Sequence, residues 1–137
     1  MLEVVKSIAT VLKTKYPNFD IINDKLEQKF SNVFYIEVAD IIPKKLTFNQ
    51  YENEVVFTIN VFTENNDINE INNIGFDMYY HLEELPVNDF TIRAFFYDFS
   101  IFENVGRAII KYRILTVKPI EKIYMGSYKL NSRSRSW

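Results

Sequence analysis

The chain has 137 residues, 47% of them hydrophobic and 25% charged, with a formal net charge of −2. That is enough for one domain with a real core, too little for two, and the proportions are those of a folded protein, so disorder is not expected. No apolar run approaches the ~18 residues of a spanning helix, the opening Met1-Leu2-Glu3-Val4-Val5-Lys6 lacks the basic start of a signal peptide, and the absence of cysteine excludes disulfides, thiol catalysis and Cys-ligated metal.

Apolar residues at Leu2, Val5, Ile8, Ala9, Leu12 and Tyr16 form a helical stripe that Pro17 ends, because the residue before proline is pushed out of the α region. Strand signals follow. Phe19 to Asn23 is a short candidate, and Phe34, Ile36 and Val38 alternate with Tyr35, Glu37 and Ala39 at the period of a half-buried strand. Pro43 is expected to stop ladder donation. Leu46-Thr47-Phe48 reads as the start of a hairpin arm that turns through Tyr51-Glu52-Asn53-Glu54. The return arm carries Val55, Phe57, Ile59 and Val61 on one side and Val56, Thr58, Asn60 and Phe62 on the other, so a helix or a neighbouring subunit should cover each face.

Residues 64–67 offer helix N-caps. Ile68, Ile71, Ile74, Met78, Leu82 and Leu85 then repeat at helical spacing, with Pro86 as the stop. Gly75 lies inside this helix at a cost of about 1 kcal/mol relative to alanine, which points to close packing there. Phe90 to Phe102 and Arg107 to Val117 read as a final hairpin with its turn in Glu103-Asn104-Val105-Gly106. No β-α-β alternation demands a parallel sheet. The expected fold is a single α+β domain, a mainly antiparallel sheet with two helices packed on it.

The pattern offers little chemistry. Only three glycines occur, at 75, 106 and 126, too far apart for a phosphate-cradling loop. His81 is the single histidine, and Asp77, four residues earlier, gives it a helix-surface ion-pair partner rather than a metal site. Glu83-Glu84, Glu52 and Glu54 read as solvated acids. The many tyrosines fit strands and interfaces better than a nucleic-acid platform, since the body is acidic. No catalytic residue, cofactor or metal is expected. A scaffold or assembly protein fits better than an enzyme.

The order of elements, with Glu27-Gln28-x-Phe30, Phe34-Tyr35-Ile36, Met78-Tyr79-Tyr80-His81-Leu82-Glu83-Glu84-Leu85 and Ile110-Lys111-Tyr112-Arg113-Ile114, resembles the tail terminator (tail completion) proteins of phages and prophages of Gram-positive bacteria. The resemblance runs from about Leu2 to Lys118. It implies a structural virion protein, assembled in the host cytoplasm, that sits as a ring, commonly of six copies, on the end of a finished tail tube. There it stops tube polymerisation and offers a surface to the neck or connector protein. Its partners would be copies of itself, the tube protein and the connector, with no membrane and no specific nucleic acid. Two alternatives stand beside it: another neck or head–tail connector protein of the same particle, or a small-molecule-binding α+β domain.

Residues 118–137 form a basic C-terminal extension to the 1–117 domain. Five basic residues against Glu121 give it +4, which leaves −6 on residues 1–117. The expected subunit or tail interface is Trp137 as apolar anchor, with Lys129, Arg133 and Arg135 as partners for carboxylates.

Overall fold

The computed structural model describes residues 2–23 and 32–117. Helix α1 (Leu2–Lys15) is followed by β1 (Asp20–Ile22), β2 (Val33–Lys45) and β3 (Gln50–Phe62). Helix α2 (Ile68–Leu82) then leads into β4 (Glu84–Val87), β5 (Phe90–Phe102) and β6 (Val105–Val117). The six strands form one sheet in the order β1-β2-β3-β6-β5-β4. Every pairing is antiparallel except the three-residue β1–β2 contact. The expected α+β architecture is present.

Both helices lie on one face of the sheet. Val4, Val5, Ile8 and Leu12 of α1, and Ile71, Ile74, Met78 and Leu82 of α2, are buried. All but Ile71, which lies at Gly106, pack into one core with the inward row of the central strands, Val55, Phe57, Ile59, Val61, Ala108, Ile110 and Tyr112. Four fully buried β3 positions at period two explain why that strand is the most legible in the sequence.

Three boundaries depart from the sequence expectation. The β2–β3 turn lies at Leu46–Asn49, closed by Leu46 N–H donating to the Gln50 carbonyl at 2.8 Å. Tyr51–Glu54 are strand, because they pair with Ile114, Leu115, Thr116 and Arg113 of β6. Strand β2 continues through Pro43 to Lys45. Past Tyr35 its outer side has no strand neighbour among the described residues, so the missing donor can be accommodated at an edge. Helix α2 stops at Leu82, and Leu85 and Pro86 belong to β4, where Leu85 and Val87 turn inward.

Local chemistry fixes the joints. Asp67 caps α2, its carboxylate accepting from the Asn69 and Glu70 amides at 3.0 and 3.4 Å. At the other end Tyr112 donates its hydroxyl to the Leu82 carbonyl at 2.5 Å, partnering one of the acceptors that a helix C-terminus leaves open. Glu103 and Asn104, with φ of 51° and 64°, make the two-residue β5–β6 turn. The glycine after it serves packing instead: a Cβ on Gly106 would stand 2.7 Å from the Phe99 ring and 2.7 Å from Ile71.

Gly75 meets the same ring from the helix side. A Cβ there would fall 2.3–2.5 Å from three atoms of Phe99, so the close packing expected at Gly75 is within the chain. Tyr97 donates to the Gly75 carbonyl at 2.5 Å and holds helix and strand at that distance. Gly75→Ala should therefore destabilise the fold by roughly 1–2 kcal/mol, since overpacking outweighs the gain in helix propensity. A melting temperature lowered by a few degrees in calorimetry checks this; an unchanged or raised value would show that Phe99 yields freely.

Candidate functional site

The expected interface residues Lys129, Arg133, Arg135 and Trp137, the whole 118–137 extension and the Glu27-Gln28-x-Phe30 run lie outside the described residues. Within them, the surfaces that stand out are apolar and carry no reactive cluster.

The first is an arm. Beyond Val55 and Tyr112 the sheet narrows to β2, β3 and β6, because β5 stops pairing with β6 at Ala94. In this stretch Ile41 and Pro43 share a face with Tyr51, Asn53, Ile114 and Thr116, while Ile42 shares the opposite face with Glu52, Glu54, Arg113 and Leu115. Ile41, Ile42, Leu46, Phe48, Leu115 and Val117 are all exposed there. The arm is well tied despite its exposure. Asn53 is buried and donates to the Thr116 hydroxyl at 2.8 Å and the Ile114 carbonyl at 3.3 Å, and Lys111 lies 3.9 Å from Glu54.

The second is the sheet face turned away from the helices. The alternation of β3 called for cover on both sides, yet on this side only Thr58 is buried, while Val56, Asn60 and Phe62 are half-buried. On β5 the register shift between Ala94 and Phe96 leaves both Phe95 and Phe96 exposed. The Arg113 guanidinium stacks over Phe95 at 3.8 Å, and the Lys111 ammonium sits over Phe96 at 4.7 Å.

The third is a groove of about 330 Å³ between α2 and β5, lined by Gly75, Phe76, Tyr79, Tyr80, Tyr97 and Phe99. Phe76 and Tyr80 at its rim are 68% and 65% exposed. A larger concavity of about 690 Å³ lies beside α1 and β1. Among its described lining residues the one cation is Lys13, engaged by the Pro17 and Phe19 carbonyls at 3.1 and 2.9 Å, and the one acid is Asp20. Its other polar lining groups, Thr10 and Thr14, donate their hydroxyls back to the α1 carbonyls of Lys6 and Thr10 at 2.9 and 2.8 Å.

His81 packs edge-on to Tyr16, ring centroids 6.0 Å apart, and no ion pair joins it to Asp77 among the described residues. The Tyr16 hydroxyl is buried without a hydrogen-bond partner. Burial, and secondarily the Asp77 charge, push its pKa up to about 12. Burial raises Tyr97 and Tyr112 as well. These phenols stay neutral and serve packing. Among the described residues no group of three metal-ligating side chains occurs, and no helix is long and apolar enough to cross a membrane.

The arm is not apparent from the sequence, in which Tyr51–Glu54 reads as a turn. The alternation of Tyr51, Asn53 and Val55 was the signal that those residues extend β3.

Among solved structures, a chain from the "Virion of native gene transfer agent (GTA) particle" is similar at 12% identity with a TM-score of 0.49, over 82% of this chain and 84% of that one. A second solved chain is similar at 11% identity with a TM-score of 0.45, over 85% and 92%. No curated protein matches the sequence. The profile of a family described as phage tail terminator protein matches residues 3–123, which is most of the chain and reaches five residues past the Lys118 limit of the sequence resemblance. The protein is a phage tail structural component, and it belongs to the phage tail terminator family.

Proposed function

We propose that the protein caps the end of the tail tube as a closed ring, commonly of six copies, ending polymerisation and presenting the surface to which the neck or connector joins. The observation that carries this reading, beside the family, is the pair of open edges on one sheet. Strand β2 has no described neighbour on its outer side from Ile36 to Lys45, and β5 has none from Phe95 to Phe102. The pairings make β2 run parallel to β6 and antiparallel to β5. The β2 edge of one copy can therefore pair antiparallel with the β5 edge of the next in a head-to-tail contact, and such contacts close into rings when the rotation permits. Long bare edges are otherwise a hazard that proteins cover. The exposed arm apolar groups supply further contact area.

The action is stoichiometric. A ring on the growing end blocks addition of the next tube subunit by occupying its site, and it needs no bond-making step. Removing the gene should leave overlong tubes of irregular length with heads unattached, as counted in electron micrographs. Tails of normal length that lack only heads would replace this reading with that of a neck or connector protein.

A further inference from the structure

We propose that the α2–β5 groove is the receptor for the basic C-terminal segment, residues 118–137, of the adjacent copy. The inference rests on the ring proposed above and names a contact within it.

Charge is the first argument. From Glu64 to Glu103, the stretch holding α2, β4 and β5, nine acids face a single basic residue, Arg93. This is the most acidic part of the body, and the segment is its opposite at +4. Arg93 is itself engaged by Glu84 at 2.5 Å, so its cation is already matched.

Shape and surface chemistry are the second. Phe76 and Tyr80, ring centroids 5.5 Å apart, stand at the rim of a groove floored by Gly75, with Tyr97 and Phe99 along its β5 side. At Gly75 the Phe99 ring lies directly against the helix backbone and closes the groove floor. About 330 Å³ is at the lower end of pocket sizes and suits one large ring. The segment carries Tyr124, Tyr128 and Trp137, interleaved with Lys129, Arg133 and Arg135. The groove lining itself holds no acid, but Glu83 accepts from the lining residue Tyr79 at 3.0 Å, so an aromatic in the groove with a cation toward Glu83 is the arrangement such a segment would adopt, and exposed Tyr and Phe faces also receive arginine.

Reach and direction are the third. The groove lies beside Phe99, which pairs with Ala108, whereas the segment starts after Val117 at the tip of the arm. Strand β6 carries the chain about 30 Å away from its own groove over those residues, at ~3.3 Å each. Twenty residues extend up to ~70 Å, so length limits nothing. An arm that touches a neighbour delivers the segment to that neighbour, and the β5 edge proposed to meet β2 carries the groove beside it.

The cysteine-free chain allows a direct test in purified tails. Asn72 is exposed at the groove, and Ser136 adjoins Trp137. In the full chain carrying Asn72→Cys and Ser136→Cys, mild oxidation should give a ladder of disulfide-linked chains. Lys6→Cys with Ser136→Cys, on the exposed side of α1, should give at least tenfold less. Adding Phe76→Ser and Tyr80→Ser, both at exposed positions, should remove the ladder while rings remain visible at the tail end. A fast-migrating, internally bridged single chain would overturn the assignment to an adjacent copy. Equal ladders from both cysteine pairs, or a ladder that survives the Phe76 and Tyr80 substitutions, would overturn the groove as receptor. Tail ends without rings in wild-type micrographs would instead overturn the reading on which the inference rests.

Discussion

Ile42→Lys combined with Leu115→Lys should abolish ring assembly while leaving the subunit folded. Both residues are exposed on the arm, and both lie on the face turned away from the helices. Ile42 pairs with Glu54 across β2–β3, and Leu115 pairs with Glu52 across β3–β6. A lysine at either place therefore faces a carboxylate on the neighbouring strand, and an opposite-charge cross-strand pair supports the sheet. The lone subunit loses no buried contact. In a ring, by contrast, each contact would give up two apolar side chains worth about 1.5–3 kcal/mol apiece when buried, and would have to desolvate two ammonium groups. The sum is at least a hundredfold in association. Micrographs of tails carrying the variant should show bare, overgrown tube ends, with unchanged circular dichroism of the purified subunit. Normal rings from this variant would remove the arm from the interface and leave the strand edges to hold the assembly alone.

Legibility along the chain follows how many sources of order act on each residue. Helix α1, the second half of β3 and the β5–β6 hairpin were readable because burial imposes a single period on Ile8 and Leu12, on Val55 to Val61, and on Ala108 to Tyr112. Leu85 misled because it stands three residues after Leu82, a helical interval, while its burial is met equally well by the β4 alternation of Glu84, Leu85, Pro86 and Val87. Pro86 and Pro43 misled in the same way. A proline rules out a ladder donor, but an edge strand does not require one on every side. The arm was hidden for a different reason. Its strands are held by backbone pairing and by Asn53 rather than by a core, so their period shows only as the alternation of Tyr51, Asn53 and Val55, whose middle member is polar. The arm's exposed apolar groups, Ile41, Ile42, Leu115 and Val117 among them, are not demanded by any local rule of strand formation. Lys129, Arg133, Arg135 and Trp137 remain proposals from charge and aromaticity, now with a groove on the folded body to which they are assigned.

At alkaline pH the fold should fail in one steep step that begins near pH 10. Three tyrosines cross-brace the helices and the sheet: Tyr16 packs on Phe34 and His81, Tyr97 bonds the Gly75 carbonyl, and Tyr112 bonds the Leu82 carbonyl. Each has its pKa raised above the ordinary phenol value of 10.0, chiefly by burial, Tyr16 to about 12 and the other two further. In the unfolded chain they ionise near 10.0, whereas in the folded chain they keep their protons. Above that pH the unfolded state binds fewer protons, so stability falls as pH rises, and the contribution is fully present below pH 10. For Tyr112, which is completely buried, the slope is about 1.4 kcal/mol per pH unit until its folded pKa is reached. Tyrosinate absorbance and loss of circular dichroism should therefore rise together, because these phenols ionise only as the structure opens. Tyr112→Phe separates this account from general alkaline damage. The variant should be less stable at pH 7 by about 1–3 kcal/mol, since the Leu82 carbonyl loses its buried donor. Its urea-unfolding free energy should nonetheless decline less steeply above pH 10, by that same ~1.4 kcal/mol per pH unit. If the slopes of variant and wild type are equal, or if the tyrosines titrate stepwise while the circular dichroism holds, burial of Tyr112 is not what limits the fold in alkali.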